Sequence, residues 1–146
     1  MTPKTATTLT LGMLLAANGA CMLFLPAPWY AHMPGVTATG PLNAHFIRDI
    51  GAAYLVAGGG LIWLWRNPHA WPAALSGSAF LMLHALVHIG EAVVGTFDWK
   101  HLVRDLPGVF FVPLLASWLA WPRRDEFSTK ENSNATMDRT AQARRV

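Results

Sequence analysis

Four long stretches of mostly apolar residues alternate with polar or Pro- and Gly-rich segments along this chain of 146 residues. Each stretch is close to the ~20 residues that an α-helix needs to cross the hydrocarbon core of a bilayer. We predict membrane-spanning helices at residues 8–25, 44–65, 73–95 and 101–121. Consecutive spans must run antiparallel, so the sequence predicts an all-α, integral membrane four-helix bundle of the up-and-down type.

Local signals support these four spans. The apolar run of the first segment continues to Leu25, past a suitable cleavage point, which favours a retained helix over a cleaved signal peptide. Asn43 is placed to cap the start of the second span. Pro107 and Pro113 each remove a helical hydrogen bond, so we expect the fourth span to bend.

Composition supports a membrane protein. The chain is 53% hydrophobic and only 13% charged, and its mean hydropathy is +0.30. Residues 1–122 form the predicted bundle, and they hold five basic and four acidic residues, which excludes a nucleic-acid-binding surface. Residues 123–146 are polar, lack a hydrophobic period and are predicted to be a disordered cytoplasmic tail. The single cysteine, Cys21, excludes an internal disulfide and a multi-cysteine metal site.

The third predicted span carries three ionisable residues, His84, His88 and Glu91. At about 100° per residue they fall within roughly 60° of one another, on one helix face. Such residues are costly inside a bilayer, so they indicate a buried partner, a water-filled cavity or a ligand.

A short polar motif opens both the second and the fourth spans. His-x-x-Arg-Asp followed by an apolar residue stands at positions 45–50 and again at 101–106. We interpret it as a duplication that makes two helix hairpins related by a pseudo-two-fold axis along the membrane normal. The alternative is convergence, because polar residues suit the start of any entering helix. In either case the topology places both copies and the His/Glu stripe in one half of the membrane.

We first interpret these residues as a site for a transition metal (Zn, Fe, Mn or Cu) or a haem. The predicted metal ligands are His84, His88, Glu91, His45 and Asp49. The residues predicted to orient those ligands, or only to hold helices together, are Arg48, His101, Arg104 and Asp105.

Three other interpretations stay open. One is a protein that binds a quinone or a similar membrane-soluble redox partner, with histidine and carboxylate groups exchanging protons. Another is an accessory subunit that binds a larger membrane protein. The third is a purely structural role in which polar side chains bond between helices. The sequence does not decide whether the protein is an enzyme.

Charge sets the predicted orientation. The side that holds both termini has Lys4, Arg66, Arg123 and Arg124 near helix ends, whereas the 26–44 loop has no Lys or Arg and the last turn has Lys100. The positive-inside rule then places both termini in the cytoplasm. The polar half of the bundle is therefore expected to face away from the cytoplasm.

The chain also resembles a family. The His-x-x-Arg-Asp-Ile-Gly opening at 45–51, the small residues that follow it and the four-span plan resemble small proteobacterial inner-membrane proteins of the broad DoxX-like type. The resemblance covers roughly residues 8–121. It implies a compact four-helix bundle in the inner membrane and, from some members, a link to quinone-dependent sulfur oxidation. It supplies no catalytic motif for this chain.

The predicted threading can be tested with cysteines placed at positions 45 and 95 in a Cys21→Ser background. A membrane-impermeant thiol reagent should label both in intact spheroplasts, because both positions lie on the non-cytoplasmic side. Labelling from opposite faces contradicts the antiparallel threading.

Overall fold

The computed structural model describes residues 2–96 and 99–122, and within these ranges the chain is helical with connecting turns and contains no strand. The predicted tail at 123–146 lies outside the described residues. The α-helices are α1 Pro3–Phe24, α2 Pro26–His32, α3 Ala44–Arg66, α4 Trp71–Val93, α5 Trp99–Asp105 and α6 Val112–Ala120. Short 3₁₀ helices lie at Val36–Thr39 and Pro68–Ala70, and a π-helical segment, Leu106–Phe111, joins α5 to α6.

Four helical stretches in the described part of the chain are long and apolar enough to cross a membrane. They are Pro3–Phe24, Ala44–Arg66, Pro68–Val93 and Trp99–Ala120. The predicted all-α bundle is confirmed, and these four stretches indicate an integral membrane protein.

The helix ends follow from local side-chain chemistry. The Thr2 side chain accepts a hydrogen bond from the backbone N–H of Thr5, with Pro3 at the first helical position, so α1 begins earlier than residue 8. Asn43 caps α3 as predicted, because its side-chain oxygen accepts from the backbone N–H of Phe46 at 3.1 Å.

The fourth span contains a wider segment where the sequence predicts a bend. Pro107 has no N–H for the carbonyl four residues earlier, and Pro113 interrupts the same ladder one and a half turns later. The chain accommodates this loss by forming the π-helical turn Leu106–Phe111 between the two α-helical pieces. Such turns are rare and often lie beside functional sites. Here the π-helical turn follows directly after Asp105.

Helices α1 and α3 approach closely because glycine faces glycine. A Cβ added at Gly58 would lie 2.6 Å from the Gly12 carbonyl oxygen and 2.6 Å from the Ala16 nitrogen. One added at Gly19 would lie 2.6 Å from the Gly51 carbonyl oxygen. Lipid tails are as apolar as the helix surfaces, so the hydrophobic effect does not drive helices together in a bilayer. Close backbone packing of this kind, at small residues, does so instead.

The apolar core lies toward the end of the bundle where the chain starts. Helix α3 packs between α1 and α4, and α4 packs against α6. The core cluster contains Leu11, Leu15, Ala57, Leu61, Ala74, Leu81, Ala116, Leu119 and Ala120. The opposite end, where α1 leads into α2 and α4 leads into α5, holds the polar groups described below.

The glycine contact can be tested with a pair of adjacent substitutions. Gly58→Ala should destabilise the protein by about 1–3 kcal/mol, because the new methyl group overlaps the backbone of α1. Gly59→Ala is the matched control: nothing lies within 4 Å of its Cβ position, so its effect should stay within about 1 kcal/mol. Thermal unfolding in detergent, followed by circular dichroism, measures both. Equal stability of the two variants contradicts close α1–α3 packing.

Candidate metal centre

Three side chains from two helices converge at the polar end of the bundle. His88 Nδ1 lies 2.8 Å from Asp105 Oδ2, and His101 Nε2 lies 3.3 Å from the same oxygen. One ligand atom from each residue lies within 4.8 Å of the other two. We call these three residues the His/Asp cluster.

The cluster follows from the helix period and from the turn between α4 and α5. His101 and Asp105 are four residues apart on α5, so their side chains share one face. The chain reverses after α4, and α5 runs back along its last turns. This reversal brings His88 opposite the His101–Asp105 pair.

The cluster is buried although it lies near the ends of its helices. The exposed fractions of the His88, His101 and Asp105 side chains are 16%, 8% and 11%. A carboxylate removed from water is stable only when donors satisfy it. Asp105 meets this condition because the nitrogens of two imidazoles point at one of its oxygens.

Arg104 extends the hydrogen-bonded network to a second face of His101. Its Nη2 donates to His101 Nδ1, while His101 Nε2 on the other side of the ring lies 3.3 Å from Asp105 Oδ2. The guanidinium also packs on Gly35, where an added Cβ would lie 2.5 Å from Arg104 Nε. Gly35 has φ +88°, which favours glycine for a second reason.

Hydrogen bonds tie the segment before α3 to the bundle and to itself. Trp29 Nε1 donates to Asn18 Oδ1 at 2.9 Å, and the Tyr30 hydroxyl donates to the Gly40 carbonyl. Between these two anchors lies Gly35, in contact with Arg104. The segment therefore contacts Arg104, whose side chain remains exposed.

Aromatic contacts continue the cluster toward the middle of the bundle. The His84 ring lies edge-on to the His88 ring, with centroids 4.9 Å apart. Phe80 stacks on the other side of His84 at 6.3 Å and meets Tyr54 edge-on at the same distance. His84 is half-buried and lies outside the group of three ligand atoms.

The structure groups one of the five predicted metal ligands, His88, with two residues that were predicted to surround the ligands, His101 and Asp105. Glu91 is half-buried one turn beyond His88, outside the cluster. His84 contacts the cluster through the ring of His88, and its other ring contact is with Phe80.

The two remaining predicted ligands, His45 and Asp49, pair with each other on α3. Their closest atoms are 3.6 Å apart, and their side chains are 87% and 61% exposed. They do not join His88. Arg48 between them donates to the Leu23 carbonyl oxygen of α1 at 3.2 Å.

The repeated motif therefore makes the same local pair in two different environments. The first copy points its histidine and aspartate outward, and the second copy buries them against α4. The signal that could have identified the second copy is the short α4–α5 connection, which forces those residues to lie beside the His/Glu stripe. The second pair gains a third partner, and the first does not.

Comparison with known protein families, with curated proteins and with solved structures gives no match for this chain. The fold and the site together define a class: an all-α integral membrane protein with a buried His/Asp cluster at one end of its bundle.

The environment of the two aspartates predicts different responses to the same substitution. Asp105→Asn should cost about 1–3 kcal/mol, because a neutral amide oxygen in place of Oδ2 loses the charge-assisted contact with both imidazoles in a buried site. Asp49→Asn, in the exposed copy of the motif, should stay within about 0.5 kcal/mol of the parent. Thermal unfolding in detergent measures both. The interpretation fails when Asp49→Asn is the more damaging change.

Proposed function

We propose that this protein is a bacterial inner-membrane protein that binds one transition-metal ion at the His/Asp cluster. The ligands are His88 Nδ1, His101 Nε2 and Asp105 Oδ2. The observation that carries the proposal is the convergence of these three atoms, from two helices, in a buried position.

Ligand chemistry supports a metal such as zinc or non-haem iron. Two imidazoles and a carboxylate are a common ligand set for both, and they leave coordination positions open for water or substrate. At metal–ligand distances of about 2.0–2.2 Å, neighbouring ligand atoms lie roughly 3–3.5 Å apart. The two distances to Asp105, 2.8 and 3.3 Å, are close to this range, and all three ligand atoms lie within 4.8 Å of one another.

Metal binding changes the hydrogen bonds of the cluster in a defined way. His88 Nδ1 bonds to Asp105 Oδ2, and His101 Nε2 lies 3.3 Å from the same oxygen. An imidazole that held an ion through Nε2 would carry its proton on Nδ1, which would then be a donor. Arg104 could then no longer donate to Nδ1 and would have to turn away from the ring.

A bare ion fits this cluster better than a haem. The Asp105 carboxylate lies between the two imidazoles, with one oxygen in contact with both. A haem with two axial histidines needs that space for its porphyrin ring. A haem held between facing helices would also need a histidine from α3 opposite His84 or His88, and the one histidine of α3, His45, is 87% exposed.

The proposed orientation puts the cluster in the non-cytoplasmic half of the membrane. Lys4 and Arg66 lie at the opposite end, near the start of α1 and the end of α3. Arg48 and Arg104 lie within the spans rather than in connecting segments, and the 26–43 segment at the cluster end contains no Lys or Arg. The positive-inside rule then favours cytoplasmic termini.

A second candidate function is proton exchange with a membrane-soluble redox partner such as a quinone. The observation that favours it is the continuous series of contacts from His84 through His88 and Asp105 to His101. Such a series suits proton relay, because imidazoles titrate near physiological pH. His84 separates the two candidates, since it belongs to the relay and not to the proposed ligands.

Metal content is the first experiment. Detergent-purified protein should contain about one zinc or iron ion per chain by elemental analysis, and His88→Ala, His101→Ala and Asp105→Ala should each lose most of it, since three-ligand sites tolerate the loss of a ligand poorly. His45→Ala is the matched control from the first motif copy and should retain the metal.

His84→Ala decides between the two candidates. Under the metal proposal it retains the ion. A metal-free protein whose tryptophan fluorescence is quenched by added quinone, and less so in His84→Ala, supports the relay instead. Absence of both signals overturns both candidates and leaves a structural cluster.

A further inference from the structure

We infer that the ligand of this centre is a small oxyanion or carboxylate, bound between the metal ion and the guanidinium of Arg104. The inference rests on the proposed metal site and names the class of molecule that the site takes. It depends on three observations: the contacts of Arg104, the charge of the centre and the position of Gly35.

Arg104 lies beside the centre, and no carboxylate among residues 2–96 and 99–122 forms an ion pair with its guanidinium. Its one hydrogen bond among the described residues goes to His101 Nδ1, and it forms no ion pair with them. The adjacent carboxylate, Asp105, is occupied by the two imidazoles. The planar guanidinium therefore keeps donors for an anion, in the fork geometry that suits carboxylates and oxyanions.

The charge of the loaded centre also favours an anion. Two neutral imidazoles and one carboxylate leave a divalent ion with one net positive charge, and Arg104 adds a second. The three ligands are 8–16% exposed and Arg104 is exposed beside them, so an anion at this open edge of the cluster would offset both charges. The segment that contacts Arg104, residues 26–43, contains no Asp or Glu, so it supplies no such charge.

Gly35 holds the guanidinium near the metal ligands. The space that a Cβ would take at position 35 is filled by Arg104, with Nε, Cζ and Nη2 at 2.5, 2.6 and 2.7 Å. The side chain is confined between this backbone and the His101 ring. If an ion at Nε2 made Nδ1 a donor, Arg104 would leave the His101 ring, and its contact with Gly35 would keep the guanidinium beside the cluster.

Cobalt-loaded protein tests this inference, because Co²⁺ takes the place of zinc and its visible absorption responds to a new ligand. Phosphate and acetate are titrated separately at constant ionic strength. We expect saturable spectral changes with at least one of them. Arg104→Gln should weaken anion binding by about tenfold or more. Arg104→Lys keeps the charge but not the planar guanidinium, so its anion affinity should lie between those of the parent and of Arg104→Gln.

Two matched controls accompany these variants. Lys100→Gln removes an exposed positive charge one turn away on α5 and should leave anion affinity within about twofold of the parent. Gly35→Ala should weaken anion binding without loss of cobalt. Gly40→Ala introduces the same kind of backbone strain, because Gly40 has φ +138°. Nothing lies within 4 Å of its Cβ position, so this variant should not weaken anion binding.

The outcomes separate this inference from the proposed function. Absence of a cobalt spectrum in the parent overturns the metal site itself. A cobalt spectrum that neither anion changes, or that changes equally in Arg104→Gln, overturns the anion inference alone. An equal loss of anion affinity in Arg104→Gln and Lys100→Gln assigns the effect to general surface charge and also overturns the anion inference.

Discussion

The polar half of this protein depends on one oxygen, Asp105 Oδ2, which two imidazoles contact. A carboxylate with an 11% exposed side chain is costly to bury, and donors from both sides offset that cost. The His101 contact lies within α5, whereas the His88 contact crosses from α4 and so also holds the two helices together. Removing either imidazole leaves a buried charge with half of its partners.

The two ends of the bundle have different physical roles. Toward the end where the chain starts, small residues let α1, α3 and α4 pack backbone against backbone, and the apolar core fills the remaining space. Toward the other end, helices α4 and α5 meet through polar groups. The π-helical turn separates these two zones in the fourth span. The closely packed apolar end thus supports an end that carries the polar groups.

Hydropathy and local capping predict much of the fold. The four spans follow from apolar stretches of bilayer length, and Asn43 follows from the preference of helix starts for a side-chain acceptor. Pro107 predicts a disturbance in the fourth span, but not its form, because a lost hydrogen bond can be accommodated by a kink or by a wider turn. Whether the chain forms a kink or a π-helical turn depends on tertiary packing, which cannot be read from the local sequence.

The site was predictable only in part. The His84/His88/Glu91 stripe identifies the correct helix, because the helical spacing of polar residues within one span can be read from its own sequence. Which face of a neighbouring helix meets that stripe depends on helix rotation, and this is a tertiary property. The repeated motif gives equal reason to choose His45 or His101, yet the structure exposes the first and buries the second. His101 and Asp105 gain their importance from His88, across the α4–α5 turn.

X-ray absorption at the metal edge of the purified protein tests the central claim most directly. The account predicts an ion in a shell of nitrogen and oxygen atoms at about 2.0–2.2 Å, with the multiple-scattering signature of two imidazoles. Replacing Asp105 with alanine should abolish that signal. A protein without bound metal, or an ion whose shell is unchanged by that replacement, contradicts it.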